Sequence, residues 1–458
     1  MRQVCRLYCG LLLILSGAFA KGEDSLNWPQ FRGARTNGLA RGAALPETWT
    51  DSENIVWKAT IPGLGWSQPI VWGERIFVTT AVAEREPEKL KLDWSPGATG
   101  LTLLLGGAGA KVNPPPPDME YQWKLLCLDA ATGQVLWDRT VKKEKPKFHV
   151  HPSNSYASET PATDGKVVIA SFGMAGLYCF DMEGEQLWSK DLGVFPTQLG
   201  WGTGSSPTLH DGRIFVQYDN DATSFVTALD TRTGDELWRD ARDEKSNWAT
   251  PYLWRNRVRT ELVVAGGGKM RSYDPETGMR LWEMNASGRT AATPVGNEEL
   301  LFVDSYERMT GRTGTLAAIR CGAAGDISLK GKETTSASVA WSIQHSGYRV
   351  ASPTLFDGRL YAFDQNGGIV HCFDAKTGEK VFRQRLPAGK GVMASPIATD
   401  NGLYVLNFDG VTTILDSGPE LKVRATNTID DLCWASMAVA GNRLLIRGAT
   451  GLYCVGGK

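Results

Sequence analysis

A chain of 458 residues with 49 basic and 50 acidic side chains carries a formal charge of −1. That balance provides no global field for a nucleic acid or an anionic membrane surface, and neither is expected as a partner. Length alone suggests several domains, but internal repetition argues for one closed unit.

Residues 1–20 read as an export signal. Arg2 and Arg6 give a positive start, Leu11 to Leu15 an apolar core and Ala18-Phe19-Ala20 a small-residue cleavage site. The expectation is cleavage after Ala20 and a periplasmic or extracellular protein. The apolar run is too short to span a bilayer. Cys5 and Cys9 precede it rather than follow it, so neither a membrane span nor a lipid anchor is expected. Residues 21–52 are polar, Gly-rich and aperiodic, and predict an extended lead lying over the surface. Within it, the NWPQFRG stretch offers Trp28 and Phe31 to pin the lead to the folded body. A ligand contact through Arg32 is the alternative use of that stretch.

From residue 53 to 458 one unit recurs. A Ser or Thr before Pro opens a first strand, as in GSSPTL. A hairpin turn such as Asp211-Gly212 leads to RIFVQY, a third strand ends in Asp, and a Thr-Gly turn passes into a fourth strand such as ELW. The openings at Pro69, Pro161, Pro207, Pro251, Pro294, Pro353 and Pro396, with Ser436-Met437 as a degenerate eighth, predict an all-β, eight-bladed propeller of four-stranded antiparallel blades. A degraded seventh unit near Val423 leaves seven blades as the fallback. The last unit lacks its fourth strand, and ENIVWKATIPG at the N-terminus, with Trp57 in the Trp position, supplies it and closes the ring. Two insertions interrupt the spacing: 84–122, with an apolar Gly-rich run and four prolines, reads as a loop or partner-binding arm, and 321–338 as a surface excursion of the fifth blade.

The fourth-strand residues Trp137, Trp188, Trp238, Trp282 and Trp341, together with Trp57, predict aromatic wedges between blades, each worth about 1.5–3 kcal/mol or more of apolar burial. Asp129, Asp181, Asp230, Asp274 and Asp374 are expected to bind turn amides. Cys127, Cys179, Cys372 and Cys454 occupy one repeat position that is Ala228 or Ser272 elsewhere, which predicts a small buried side chain and free thiols. Pairing of Cys321 and Cys433 stays open.

The copies ALDTRTGDELW, YDPETGMRLW, LDAATGQVLW and FDAKTGEKVF resemble the tryptophan-docking repeat of the pyrroloquinoline quinone (PQQ) family of propellers, from Glu53 onward. That family includes quinoprotein dehydrogenases and non-enzymatic relatives such as the assembly lipoprotein BamB. With its NWPQFRG lead, the chain looks most like exported members without established activity. The resemblance implies two alternatives to a simple binding module: a PQQ- and calcium-dependent alcohol or sugar dehydrogenase, or a BamB-like outer-membrane assembly factor. The adjacent cysteine pair of many such dehydrogenases is absent here, and their calcium-ligating Glu, Asn and Asp set cannot be placed residue by residue. No nucleophile elbow, phosphate loop or paired zinc motif is found either.

Loops into the first strands and turns between second and third strands fall on one face, where a funnel to the ring axis is expected. Trp66, His151, Trp201, Trp248, Arg289, Arg349, Trp434 and Asp219 are the candidate funnel residues, the arginines as bidentate donors and the rings as stacking walls. Asp304 or Asp364 is the candidate base under the dehydrogenase alternative. His149 and His151 are two potential ligands but not a metal site. The reading of the sequence is therefore a monomeric, non-enzymatic binding or scaffold module for a protein or carbohydrate, with no cofactor expected and PQQ with calcium as the alternative.

Overall fold

A computed structural model describes residues 27–50, 52–85, 115–306, 314–345 and 349–457. The export signal, its cleavage site and most of the 84–122 insertion fall outside the described residues. The strands form eight antiparallel sheets, each with the consecutive order of a propeller blade. In blade 3, Thr208–His210, Arg213–Tyr218, Ser224–Asp230 and Glu236–Arg242 pair in that order. The two central strands are buried along nearly their whole length, whereas the outer strand alternates between exposed and half-buried residues. Both faces of a blade are covered by its neighbours, so the central strands are apolar on both sides and only the outer edge meets water.

Ring closure follows the expected route. Ile55–Thr60 pairs antiparallel with Gly451–Val455, bringing Trp57 opposite Cys454. Five docking tryptophans then tie their blade to the next through indole N–H donors. Trp57 donates to Ala130 O at 3.1 Å, Trp137 to Met182 O at 3.1 Å, Trp188 to Thr231 O at 2.9 Å, Trp238 to Pro275 O at 3.2 Å and Trp341 to Ala375 O at 3.0 Å. Each ring lies over the glycine of the next blade's turn. At Gly234 φ is +74°, and a Cβ would stand 2.8 Å from the Trp188 ring, so both backbone and contact demand glycine.

Trp282 departs from this pattern. Blade 5 has no Thr-Gly turn, and the Trp282 N–H donates instead to the buried Glu261 Oε2 of its own blade at 2.7 Å. The 321–338 insertion is more than a surface excursion: Gly325–Asp326 pairs in parallel with Arg280–Asn285 as a fifth strand of blade 4. The seventh blade is present, and its docking position is Ala425, opposite Ile414, rather than Val423. Trp49 of the lead is buried in the same apolar cluster as Ile414, Tyr404 and Leu444, against which Ala425 packs, and its amide binds Asn427 Oδ1 at 2.9 Å. An aromatic from the lead thus takes the space that a fourth-strand tryptophan fills elsewhere.

The turn aspartates accept backbone amides, as at Asp230 from Arg232 and Thr233 at 2.8 and 3.1 Å. Cys127, Cys179, Cys372 and Cys454 are buried opposite Trp137, Trp188, Phe382 and Trp57. All four are free thiols, as are Cys321 and Cys433. Burial pushes Cys127 and Cys179 up to about 12, which makes them inert packing groups.

The lead does not lie over the surface. Trp28 pairs with Val71 of blade 1, Pro29 O accepts Thr163 N of blade 2, and Gln30 Oε1 accepts Leu209 N of blade 3 at 2.8 Å. Arg32 Nη2 donates to Pro353 O of blade 6 at 2.8 Å, and Leu39 bridges Ala398 of blade 7. A segment bound to innermost strands of five blades crosses the bore of the ring. Trp28 and Arg32, 3% and 1% exposed, plug it from the end opposite the expected funnel.

Candidate functional site

The opening residues of the eight blades meet on the axis. The amide of Gln68 donates to Thr160 Oγ1, and the same step repeats through Ser206, Thr250, Thr293, Ser352, Ser395 and Ser436 at 2.8–3.1 Å. The Ser or Thr before each proline thus serves the neighbouring blade, in seven consecutive steps. Gln68 replaces the hydroxyl residue in blade 1. Its side-chain N–H group reaches across the seam to Met437 O, while its Oε1 accepts the Arg32 amide at 2.8 Å.

Above this ring opens a cavity of about 260 Å³. Trp66, His151, Trp201, Trp248, Arg289 and Trp434 all line it. Trp66 and Trp434 form a tilted pair with centroids 4.8 Å apart, and Trp201 and Trp248 a second at 5.6 Å. His151 stands edge-on to Trp201, its Nδ1 2.6 Å from Ser153 Oγ. Residues not anticipated as lining are Phe31, which rises through the ring as the floor, the ring members Gln68, Thr160, Ser206, Thr250, Ser395 and Ser436, and Tyr306, Gln365 and Met393 on the wall. The Ser/Thr-Pro repeat was the available signal for the ring, since an opening shared by every blade must recur around the axis.

Arg349, Asp219, Asp304 and Asp364 do not line the cavity. Arg349 and both of its acidic partners lie behind the wall in one buried cluster. Asp304 accepts Arg349 Nη1 at 2.8 Å and lies 2.7 Å from His345 Nε2; Asp364 is 3.0 Å from His371 Nε2 and 3.7 Å from Arg349 Nε. Burial alone would push the Asp304 carboxyl up, but Arg349 and His345 outweigh it and hold the group down at about 2. A carboxylate so committed is a poor base. Asp219 is likewise bound by Arg242 through two donors at 2.9 and 3.2 Å.

One acid behind the wall has no basic partner among the described residues. Glu159 precedes Thr160 where the other blades have Ser or Ala, and it is 2% exposed. Burial pushes its carboxyl up to about 7, against a hydrogen bond from the Thr203 hydroxyl and nearby backbone amides. It borders a polar chamber of about 10 Å³ that Thr203 and Gly204 separate from the main cavity. Sequence reading missed it, although its departure from the repeat was visible.

The wall offers Trp, Tyr, Phe, hydroxyl and amide groups, with Arg289 and His151, and no carboxylate. Calcium needs several oxygen ligands, usually including carboxylates. The lining does not fit that demand, and the described residues contain no cluster of three or more His, Cys, Asp or Glu able to hold a metal. Among the described residues no helix is long and apolar enough to cross a membrane.

A family model described as "Outer membrane protein assembly factor BamB" matches residues 123–307, 226–347 and 325–419, more than half the chain. Among solved structures, BamB from Moraxella catarrhalis superposes with a TM-score of 0.54 at 16% identity, over 72% of this chain and 88% of that one. A computationally designed protein, Ika8, reaches a TM-score of 0.49 at 12% identity, over 76% and 94%. These structural likenesses concern the fold. No curated protein matches the chain.

Proposed function

The chain belongs to the PQQ-repeat propeller family described as outer membrane protein assembly factor BamB, and we propose that it is a non-enzymatic binding module whose axial cavity holds a saccharide. One observation carries the reading. Two tryptophan pairs wall a cavity of about 260 Å³ whose base is a ring of serine and threonine side chains. Flat indoles stack on the apolar faces of a sugar ring while amide and hydroxyl groups meet its edge, the division of labour expected of a small-ligand site. A cavity of this size suits one or two sugar units rather than a protein surface.

Titration of the whole protein with short oligosaccharides, followed by tryptophan fluorescence, tests it. Quenching that saturates, and that is lost in Trp201→Ala and Trp248→Ala variants that keep the folded circular dichroism spectrum and a cooperative thermal transition, is the expected result. A flat titration across neutral and acidic sugars would remove the reading. Export is part of the same proposal, supported by the Arg2/Arg6, Leu11–Leu15 and Ala18-Phe19-Ala20 pattern. Sequencing the N-terminus of secreted material should find Lys21.

The family description supports a second reading, a protein partner in outer-membrane assembly. Recovery of barrel-assembly components on the immobilised protein, with the cavity tryptophans dispensable, would favour it over the first.

A further inference from the structure

One guanidinium lines the axial cavity, two more adjoin residues next to its lining, and no carboxylate lines it. Arg289 lines the wall, half-buried, its stem against Gly267, and makes no hydrogen bond or ion pair among the described residues. Arg447 is 1% exposed and binds only the carbonyl and hydroxyl of Ser67, the residue between the cavity residues Trp66 and Gln68. Arg32 follows the floor residue Phe31. Its Nη2 binds Asn37 O, Pro353 O and Thr354 Oγ1, and its Nε and Nη1 have no protein acceptor.

The acids nearby do not offset these charges. Asp304 and Asp364 share Arg349 and two histidines, and Asp219 is held by Arg242. Glu159, behind Thr203, is pushed up to about 7 by burial and so is partly neutral at physiological pH. Burial lowers Arg447 to about 9 and Arg32 to about 10, so both stay charged there. A concave site with low-dielectric walls and fixed charges of one sign focuses its field into the opening. A buried guanidinium without a counter-ion is costly, and an anion held in the cavity would lower that cost through the field of the site.

We infer that the cavity selects an anionic saccharide, with the negative group of the sugar held by the Arg289 guanidinium while the rings stack on the tryptophan pairs. This rests on the saccharide reading above and specifies its ligand class. Arg289 is suited to the task because its fork of donors is uncommitted and matches a carboxylate or sulfate in two-point contact.

The test compares a short oligogalacturonate with the same oligomer fully methyl-esterified, which keeps the rings and removes the charge, and adds a sulfated oligosaccharide as a separate arm. Tighter binding of the acid than of the ester by roughly tenfold or more is expected, from the strength of a charge-assisted contact. The difference should shrink as salt is raised. Arg289→Gln should abolish the difference, whereas Arg257→Gln, which removes an exposed arginine paired with Glu299, should leave it. The sulfated arm decides whether a carboxylate or any anion is read. Equal binding of acid and ester would overturn the charge inference and leave the saccharide reading standing. Binding of none of the three would overturn both.

Discussion

The Arg32 amide donates to Gln68 Oε1 at 2.8 Å, which fastens the N-terminal lead to the one opening position of the axial ring that carries neither serine nor threonine. The same Gln68 side chain reaches Met437 O across the seam between the first and last blades. One residue therefore holds the plugging lead in place and bridges the seam of the ring. Gln68→Leu leaves a buried amide and a buried carbonyl unpaired, a loss of about 1–3 kcal/mol each. The expected outcome is a lower thermal midpoint together with new proteolytic cleavage between residues 33 and 50. Cleavage unchanged from the parent would contradict the fastening role.

Trp49 stands in for the tryptophan that the seventh blade lacks at Ala425. Truncating a buried tryptophan costs about 3–5 kcal/mol. Trp49→Ala should show that loss in denaturant unfolding, comparable with Trp57→Ala at the ring seam. The double variant Trp49→Ala/Ala425→Trp should recover part of it, if both side chains occupy one space.

Glu159 provides a pH signature. Its folded value of about 7 lies above the ordinary 4.5, so the folded state holds the proton more tightly than the unfolded chain. Stability is thus greatest below about pH 4.5 on account of this group and falls as pH rises through 7, by about 3 kcal/mol in all. Glu159→Gln should be more stable than the parent at pH 8 and lose that advantage by pH 5. Parallel pH–stability curves for the two proteins would refute the assignment.

Asp304 has the opposite sign. Held at about 2 against an ordinary 3.8, it stabilises the fold above pH 3.8, and that contribution is lost as pH falls toward 2. Breaking a buried pair by removing one partner costs about 3–5 kcal/mol. Asp304→Asn should therefore lower the unfolding free energy by that order. Dye-linked oxidation of alcohols and sugars, with quinone and calcium supplied, should be absent in both parent and variant. Turnover in the parent that disappears in the variant would instead make Asp304 a catalytic base.

Much of the architecture was legible because it repeats locally. The Asp-Thr-Gly-Trp turn is a contiguous stretch, so comparing its copies separated wedge from turn former and placed Trp57 at the seam. The small slot shared by Cys127, Ala228 and Ser272 was legible for the same reason. Trp282 broke the pattern where blade 5 lost its Thr-Gly turn, and only the fold shows Glu261 taking over. The cavity tryptophans were named from their place before each first strand. Arg349 shared that placement, and Asp219 was named from a turn between second and third strands on the same face; both still face away, because ion-pair partners draw them behind the wall.

By itself, the sequence determined the ring: blade number, closure, turn chemistry and wedge positions all follow from periodic residues acting within one repeat or on its neighbour. Tertiary structure alone decided where non-repeating residues go. Arg32 meets Pro353 across 321 positions of chain, and Asp304 meets Arg349 across 45. Such contacts depend on how closed blades place side chains around a common axis. No local pattern encodes that distance, so the plugged bore and the sign of charge around the cavity emerge only once the ring is closed.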